Sequence, residues 1–273
     1  MIHHYRAESQ PMDDARQNGT GLSSRATARL IATAFTLLLV FFAIDVAATD
    51  IVPRSFHPGE SFRYKLGWAA FAHAADVKLD FVERRDLYGQ PTMHFQAALH
   101  SVAPLRTLFP VDDVFDSYSD AKNFDSRQYE FHLSELGEKE ERIRHLASSG
   151  AVRTSPGPHV IVPAGTRDPL GVLYEMRTID WKRTPNYRAP MYDGNNVFEV
   201  QAELEVPDEM IAIDAGNFHT MRIDAHLYQR GVRVQKTELS IWLENDAART
   251  PLLLDATMPY GKIRAELQPK VTK

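Results

Sequence analysis

An alternation of apolar and polar residues with period two returns along most of the chain and constrains its fold more than any other feature. In Val197 to Val206, the residues Phe198, Val200, Ala202, Leu204 and Val206 alternate with Glu199, Gln201, Glu203 and Glu205. Successive side chains of a strand point to opposite faces, so this segment has one apolar and one charged face. The same pattern places Phe62, Tyr64, Leu66 and Trp68 on one face of a strand, and Val77, Leu79 and Phe81 on one face of another. It recurs at Met93 to Leu99, Tyr129 to Leu133, Met221 to Leu227, Leu239 to Leu243 and Ile263 to Leu267. Strands with one wet face belong to antiparallel sheets, because parallel sheets are covered on both sides. The expected fold is therefore all-β and mainly antiparallel, with about ten strands. A sheet that wide must curl to protect its edges, into a curved sheet or a partly open barrel.

Punctuation supports this reading. Tyr88-Gly89-Gln90-Pro91, Ser149-Gly150, Ser155-Pro156-Gly157-Pro158, Asp193-Gly194-Asn195-Asn196, Arg230-Gly231 and Tyr260-Gly261 mark turns between strands. One short helix is inserted. Asp168 is its N-cap, Pro169 occupies the first helical position, and Leu170, Leu173, Tyr174 and Arg177 fall on one face. A second helical turn is expected at Leu105 to Phe109.

Before the β-rich body lies an apolar run, Leu30 to Ile44, preceded by Arg25 and Arg29 and followed by Val46, Ala47 and Ala48. Positive charge, apolar run and small residues in this order describe an export signal, and the run is short for a span of about 20 residues. Cleavage after Ala48 would start the mature chain near Thr49. The 29 residues before the run include Glu8, Asp13 and Asp14, unlike a compact positive leader. Three alternatives stay open: translation from Met12 with cleavage, a retained inner-membrane anchor at residues 30–48, or a buried helix. The first two place the body outside the cytoplasm, in the periplasm. The domain plan is a tail at 1–29, the export or anchor segment at 30–48, and one β-rich domain at 49–273.

Composition narrows the function classes. The chain has 273 residues, with 31 Lys and Arg against 36 Asp and Glu, a formal net charge of −5. Nucleic-acid binders normally carry the opposite excess. With no Cys, there are no disulfides, thiolate metal sites or cysteine nucleophiles. Gly-x-Ser-x-Gly, His-Glu-x-x-His, Walker A and Gly-x-Gly-x-x-Gly signatures are also lacking.

Two polar groupings are candidates for chemistry. Asp112, Asp113, Asp116 and Asp120 offer hard oxygen ligands for calcium, or a carboxylate pair for hydrolysis, but without the loop spacing that makes such an assignment specific. Asp116, Tyr118 and Asp120 would share a wet strand face. His219, Arg222, Asp224 and His226 cluster on the polar side of a strand, again with no third ligand set by spacing. The expectation is that neither holds a metal and that no cofactor is used. Aromatics are the other resource. Tyr64, Trp68, Phe81, Phe95, Phe198 and Trp242 are the candidates to line an apolar cavity in an incompletely filled barrel.

Several segments together resemble the bacterial family DUF3108. Phe56-His57-Pro58-Gly59-Glu60, with Tyr64 and Trp68, resembles its first strand, and Asp116-Ser117-Tyr118-Ser119-Asp120 its Asp-x-Ser strand. Asp168-Pro169-Leu170 with Tyr174 and Arg177 is similar to its Asp-x-Leu-Ser helix, with Gly171 where Ser is usual. Ala215-Gly216-Asn217-Phe218 resembles its hairpin, and Trp242 with Asp246, Arg249 and Pro251 its most specific signature. After Trp68, a Gly-rich step is replaced by Ala69, Ala70, Ala74 and Ala75.

The resemblance implies an exported β-rich envelope protein and transfers no catalytic residue. Gly59, Glu60, Asp116, Asp168, Arg177, Gly216, Asp246 and Arg249 are expected to serve structure, with Asp168 as a cap, Gly216 in a turn and Arg249 paired to Asp246 across a bend. The leading expectation for function is non-enzymatic binding of a lipid or acyl chain in a barrel cavity. An envelope assembly factor that binds a protein partner is the alternative, and a hydrolase of an envelope polymer the second. Contact with a membrane would be made only through the N-terminal segment.

Overall fold

The structure is a computed structural model that describes residues 56–148, 155 and 157–270. The tail, the export segment, the cleavage position near Thr49 and the Ser149-Gly150 signal lie outside the described residues. In chain order the first half contains β1 (Ser61–Trp68), β2 (Phe71–Leu87), β3 (Gln90–Ser101), α1 (Leu105–Leu108), β4 (Asp112–Asp120), β5 (Ser126–Glu135), β6 (Glu138–Ser148) and β7 (His159–Val162). The second half contains α2 (Pro169–Met176), β8 (Asn186–Tyr192), β9 (Val197–Ile213), β10 (Gly216–Gln229), β11 (Val232–Arg233), β12 (Glu238–Glu244), β13 (Pro251–Met258) and β14 (Gly261–Leu267). Among the described residues, no helix is long and apolar enough to cross a membrane.

All fourteen strands form one sheet, in the order β7-β6-β5-β4-β3-β2-β1-β14-β13-β12-β10-β9-β8, with β11 on β10. Every pair is antiparallel except β6 with β7. The all-β expectation holds, but the described residues contain fourteen strands rather than about ten. The additional strands lack clean alternation. β6 is exposed over its first four residues, half-buried over most of the rest, and reads EKEERIRHLAS, whereas β13 begins with four consecutive buried residues, Pro251 to Leu254. Both β1 and β2 continue across a tight turn in which Ala69 takes φ 49°, a left-handed conformation that glycine adopts at lower cost. The substituted Ala step therefore still makes the turn.

The segment before α2 joins β5 to β8, the strand at the other end of the order. Ser126 N–H donates to Thr166 O at 2.9 Å, Arg167 N–H to Pro190 O at 2.9 Å, and Tyr192 N–H to Arg167 O at 2.9 Å. Arg167 thus bridges in parallel to Met191 of β8, and the sheet nearly closes into a barrel. At the β8–β9 turn, Gly194 (φ +103°) lies so close to Phe131 of β5 that a Cβ would overlap the ring. Glycine is required there for both conformation and closeness.

α2 fills the barrel. Pro169 to Tyr174 and Met176 are all buried, and Tyr174 stacks on Phe95 with ring centroids 3.8 Å apart, flanked by Phe56 and Phe81. Phe115, Tyr129, Phe131 and Trp181 occupy the remaining interior. Gly171 allows the helix to press against β4, since a Cβ there would stand 2.8 Å from Ser119 Oγ.

Polar clamps hold the plug at both ends. Asp168 caps the helix by accepting from Leu170 N–H and Gly171 N–H at 2.9 Å, and its other oxygen accepts from Ser117 Oγ at 2.6 Å and from Ser126 Oγ. Burial raises the pKa of this carboxylate, while the four donors pull it back. At the far end, Arg177 forms a two-pronged pair with Glu60 at 2.6 and 2.8 Å and donates to Ala248 O and Arg249 O. Phe56, Phe62 and Tyr174 enclose its guanidinium. Motifs far apart in sequence thus meet around one helix. Arg249 differs from expectation in one respect: its backbone N–H, not its guanidinium, bonds Asp246, at 2.9 Å, and its guanidinium points to Met221 Sδ.

Candidate functional site

The structure divides the six aromatics singled out from the sequence between the interior and the outer face of the sheet. Phe81 and Phe95 are wholly buried against α2, Phe198 belongs to the same core, and Tyr64 is buried with its hydroxyl donating to Pro251 O at 2.8 Å. Trp68 is half-buried, stacks on Phe71 and lines a groove of about 490 Å³ on the outer face, among Lys65, Asp255, Lys262 and Arg264. Trp242 lies on the outer face of β12, where its indole N–H donates to Glu209 Oε1 at 2.8 Å. Phe81, Phe95 and Phe198 thus pack in the core around α2.

The acidic stretch is likewise divided. Asp113 faces inward, and Asp112, Asp116 and Asp120 face outward, because neighbours on a strand alternate. Asp112 pairs with Arg106 at 2.8 Å and with His100, and Asp120 with Arg127 at 2.8 Å. Asp113 accepts from Ser134 N–H at 2.9 Å, and burial pushes its pKa up to about 7. The four carboxylates therefore form neither a calcium cage nor a facing catalytic pair. In the His219 to His226 group, Arg222 pairs with Asp224 at 3.4 Å, whereas His219 turns to Asp208 and His226 to Arg233.

Register on the outer wall builds a different cluster. Across β3, β4 and β5, Gln96 faces Asp116 and Asp116 faces Glu130, with His94 opposite Tyr118 and His132 opposite Val114. Asp116 Oδ1 lies 2.6 Å from His94 Nε2 and 2.8 Å from Gln96 Nε2. Asp116 Oδ2 lies 3.6 Å from His132 Nε2, which is also 3.3 Å from Glu130 Oε2. Asp116 and His94 are buried even though they face outward, and the His94 ring stacks on Tyr118 at 4.4 Å. The expected wet face is in fact covered. Sequence reading missed His94, Glu130 and His132. The available signal was the pair of i, i+2 polar couples, His94 with Gln96 and Glu130 with His132, on two recognisable strands.

A second feature arises from the long β9–β10 hairpin, which outruns its neighbours. Register shifts near Arg222 bend it, and its tip reaches the β1–β14 seam. There Asp214 Oδ2 accepts from Lys65 Nζ at 2.6 Å, and Asp214 N–H donates to Glu266 Oε1 at 3.0 Å. Between tip and sheet runs a groove of about 780 Å³, whose lining includes Phe218, Leu252, Leu267 and Pro269 with Arg63 and Lys270. That volume is typical of a small-molecule site.

A helix-plugged, nearly closed antiparallel barrel is the class that this fold defines. The chain matches the family described as "Protein of unknown function (DUF3108)" over residues 63–268, and it belongs to that family. No curated protein matches it. Among solved structures it is similar to a beta-barrel-like DUF1849 protein from Brucella abortus, at 8% identity and a TM-score of 0.46, over 77% of this chain and 95% of that one. It is also similar to a candidate exported protein with a YmcC-like fold from Bacteroides fragilis, at 10% identity and a TM-score of 0.31, over 81% and 99% of the two chains. A candidate lipoprotein from Parabacteroides distasonis matches at 10% identity and a TM-score of 0.33, over 78% and 96%.

Proposed function

We propose that this protein is exported to the cell envelope and binds, without catalysis, an acyl chain with an anionic head in the groove beneath the β9–β10 tip. The observation that carries the reading is the groove's two-part lining. Phe218, Leu267 and Pro269 offer apolar surface, and Arg63 and Lys270 offer positive charge beside it, against the single carboxylate of the lining, Glu244. Burial of an alkyl chain is favourable by about 0.8 kcal/mol per methylene, and a nearby cation selects a carboxylate or phosphate head. The plugged interior supports an external site, because a ligand inside the barrel would have to displace α2 and the Phe95–Tyr174 stack. Export rests on the Leu30 to Ile44 segment and its flanks.

A fluorescent fatty-acid analogue titrated into the full chain tests the reading. Ala215 borders the groove outside the core, so Ala215→Trp should fill the groove and weaken binding at least about tenfold while leaving the fold intact. Arg63→Glu should weaken a fatty acid more than an uncharged acyl alcohol. Saturable binding that Ala215→Trp leaves unchanged would place the ligand elsewhere, and no binding to the parent chain would end the proposal.

A further inference from the structure

The geometry points to a divalent transition-metal site on the outer wall, separate from the groove, with Asp116, Glu130 and His132 as ligands and zinc as the ion the spacing fits. One ligand atom from each of these residues lies within 4.8 Å of the other two. A tetrahedral zinc with bonds of about 2.0–2.2 Å sets its ligand atoms roughly 3.3 Å apart. His132 Nε2 stands 3.3 Å from Glu130 Oε2 and 3.6 Å from Asp116 Oδ2.

An independent observation is how the hydrogen bonds are divided. Each carboxylate gives one oxygen to amide or imidazole donors and brings the other to His132 Nε2, Glu130 Oε2 as a hydrogen-bond partner at 3.3 Å and Asp116 Oδ2 at 3.6 Å. Asp116 Oδ1 takes His94 and Gln96, while Glu130 Oε1 takes Gln128 Nε2, and Gln128 Oε1 in turn accepts from Tyr88 OH at 3.2 Å. This is how outer-shell partners orient ligating carboxylates, leaving one lone-pair direction for the ion. His94 is more than nine-tenths buried, so its hold on Asp116 is firmly placed. On the other side of His132, Glu141 Oε1 lies 3.9 Å from Nδ1. Binding of the ion at Nε2 would displace the Nε2···Glu130 contact at 3.3 Å and put the ring proton on Nδ1.

Charge and ligand type agree. Two carboxylates face each other across β4 and β5, and a dication between them converts repulsion into attraction. An imidazole with only two carboxylates suits zinc or its first-row neighbours better than calcium, which takes six to eight oxygens. His132 is 39% exposed, so a fourth position can take water from solvent.

The test is a zinc titration of the metal-stripped full chain in competition with a chromophoric chelator. One equivalent should bind, His132→Gln and Glu130→Gln should each weaken it at least about tenfold, and Asp112→Asn, an exposed acid on the same wall, should change it less than twofold. X-ray absorption of the loaded protein should show an all N/O shell with a single imidazole. The two variants alter different, partly exposed residues, and circular dichroism checks each fold, so either one carries the test. Absence of a one-equivalent site, binding left within twofold by both variants, a shell with two or more imidazoles, or tighter calcium than zinc binding would each overturn the assignment.

Discussion

Strand β4 carries two carboxylate systems back to back, and they differ in a way that separates structure from binding. Inside the barrel, Ser117 and Ser126 join two helix N–H groups on Asp168, so both of its oxygens are occupied by protein donors. One residue away and outside, Asp116 gives one oxygen to His94 and Gln96 and turns the other toward His132 and Glu130. A fully satisfied buried carboxylate fixes the fold, whereas carboxylates that converge on one imidazole leave room for a ligand. Among clamps of the inner kind, the largest effect is expected at Arg177. Arg177→Ala leaves Glu60 unpaired beside the plug and should cost about 3–5 kcal/mol in urea unfolding, and a cost under about 1 kcal/mol would break the claim that the inner clamps hold the helix.

Asp113 sharpens the comparison from the inside, since it is buried with a single N–H donor and its Oδ2 has no partner among the described residues. With a folded pKa of about 7 against an ordinary value of 3.8, the folded state holds a proton between these values that the unfolded state has released. Stability from this group is present below about pH 4 and is lost as pH rises through about 7. Relative to Asp113→Asn, the parent chain should therefore gain up to about 2–3 kcal/mol between pH 7 and pH 5. Parallel stability profiles would show that Asp113 is ionised at little cost. The smallest effect belongs to the outer wall. Glu130→Gln keeps shape and polarity at a strand surface and should change metal-free stability by less than about 1 kcal/mol.

Much of this architecture was legible because a barrel strand with one wet face writes its orientation into the sequence. The cap at Asp168 and the Pro169 start were also local and readable. What could not be read depends on register or on two-sided environments. β6 starts with four exposed residues in a row and β13 with four buried ones, Pro251 to Leu254, so neither alternates there. The aromatic set was read as the lining of a cavity, and nothing local says that Tyr174 enters the barrel and stacks on Phe95. Asp116 was visible as a motif residue. Its partners Glu130 and His132 were not, because pairing across β4 and β5 is set by turn geometry and a shift near Tyr118.

The most direct test of the contrast is urea unfolding of the parent chain, Asp168→Ala and Asp116→Asn, each with and without zinc. Asp168→Ala is expected to lose about 2–3 kcal/mol while keeping the stabilisation that zinc confers, and Asp116→Asn to hold its metal-free midpoint while losing that stabilisation. A large metal-free loss in Asp116→Asn with zinc stabilisation intact, and a neutral Asp168→Ala, would contradict it.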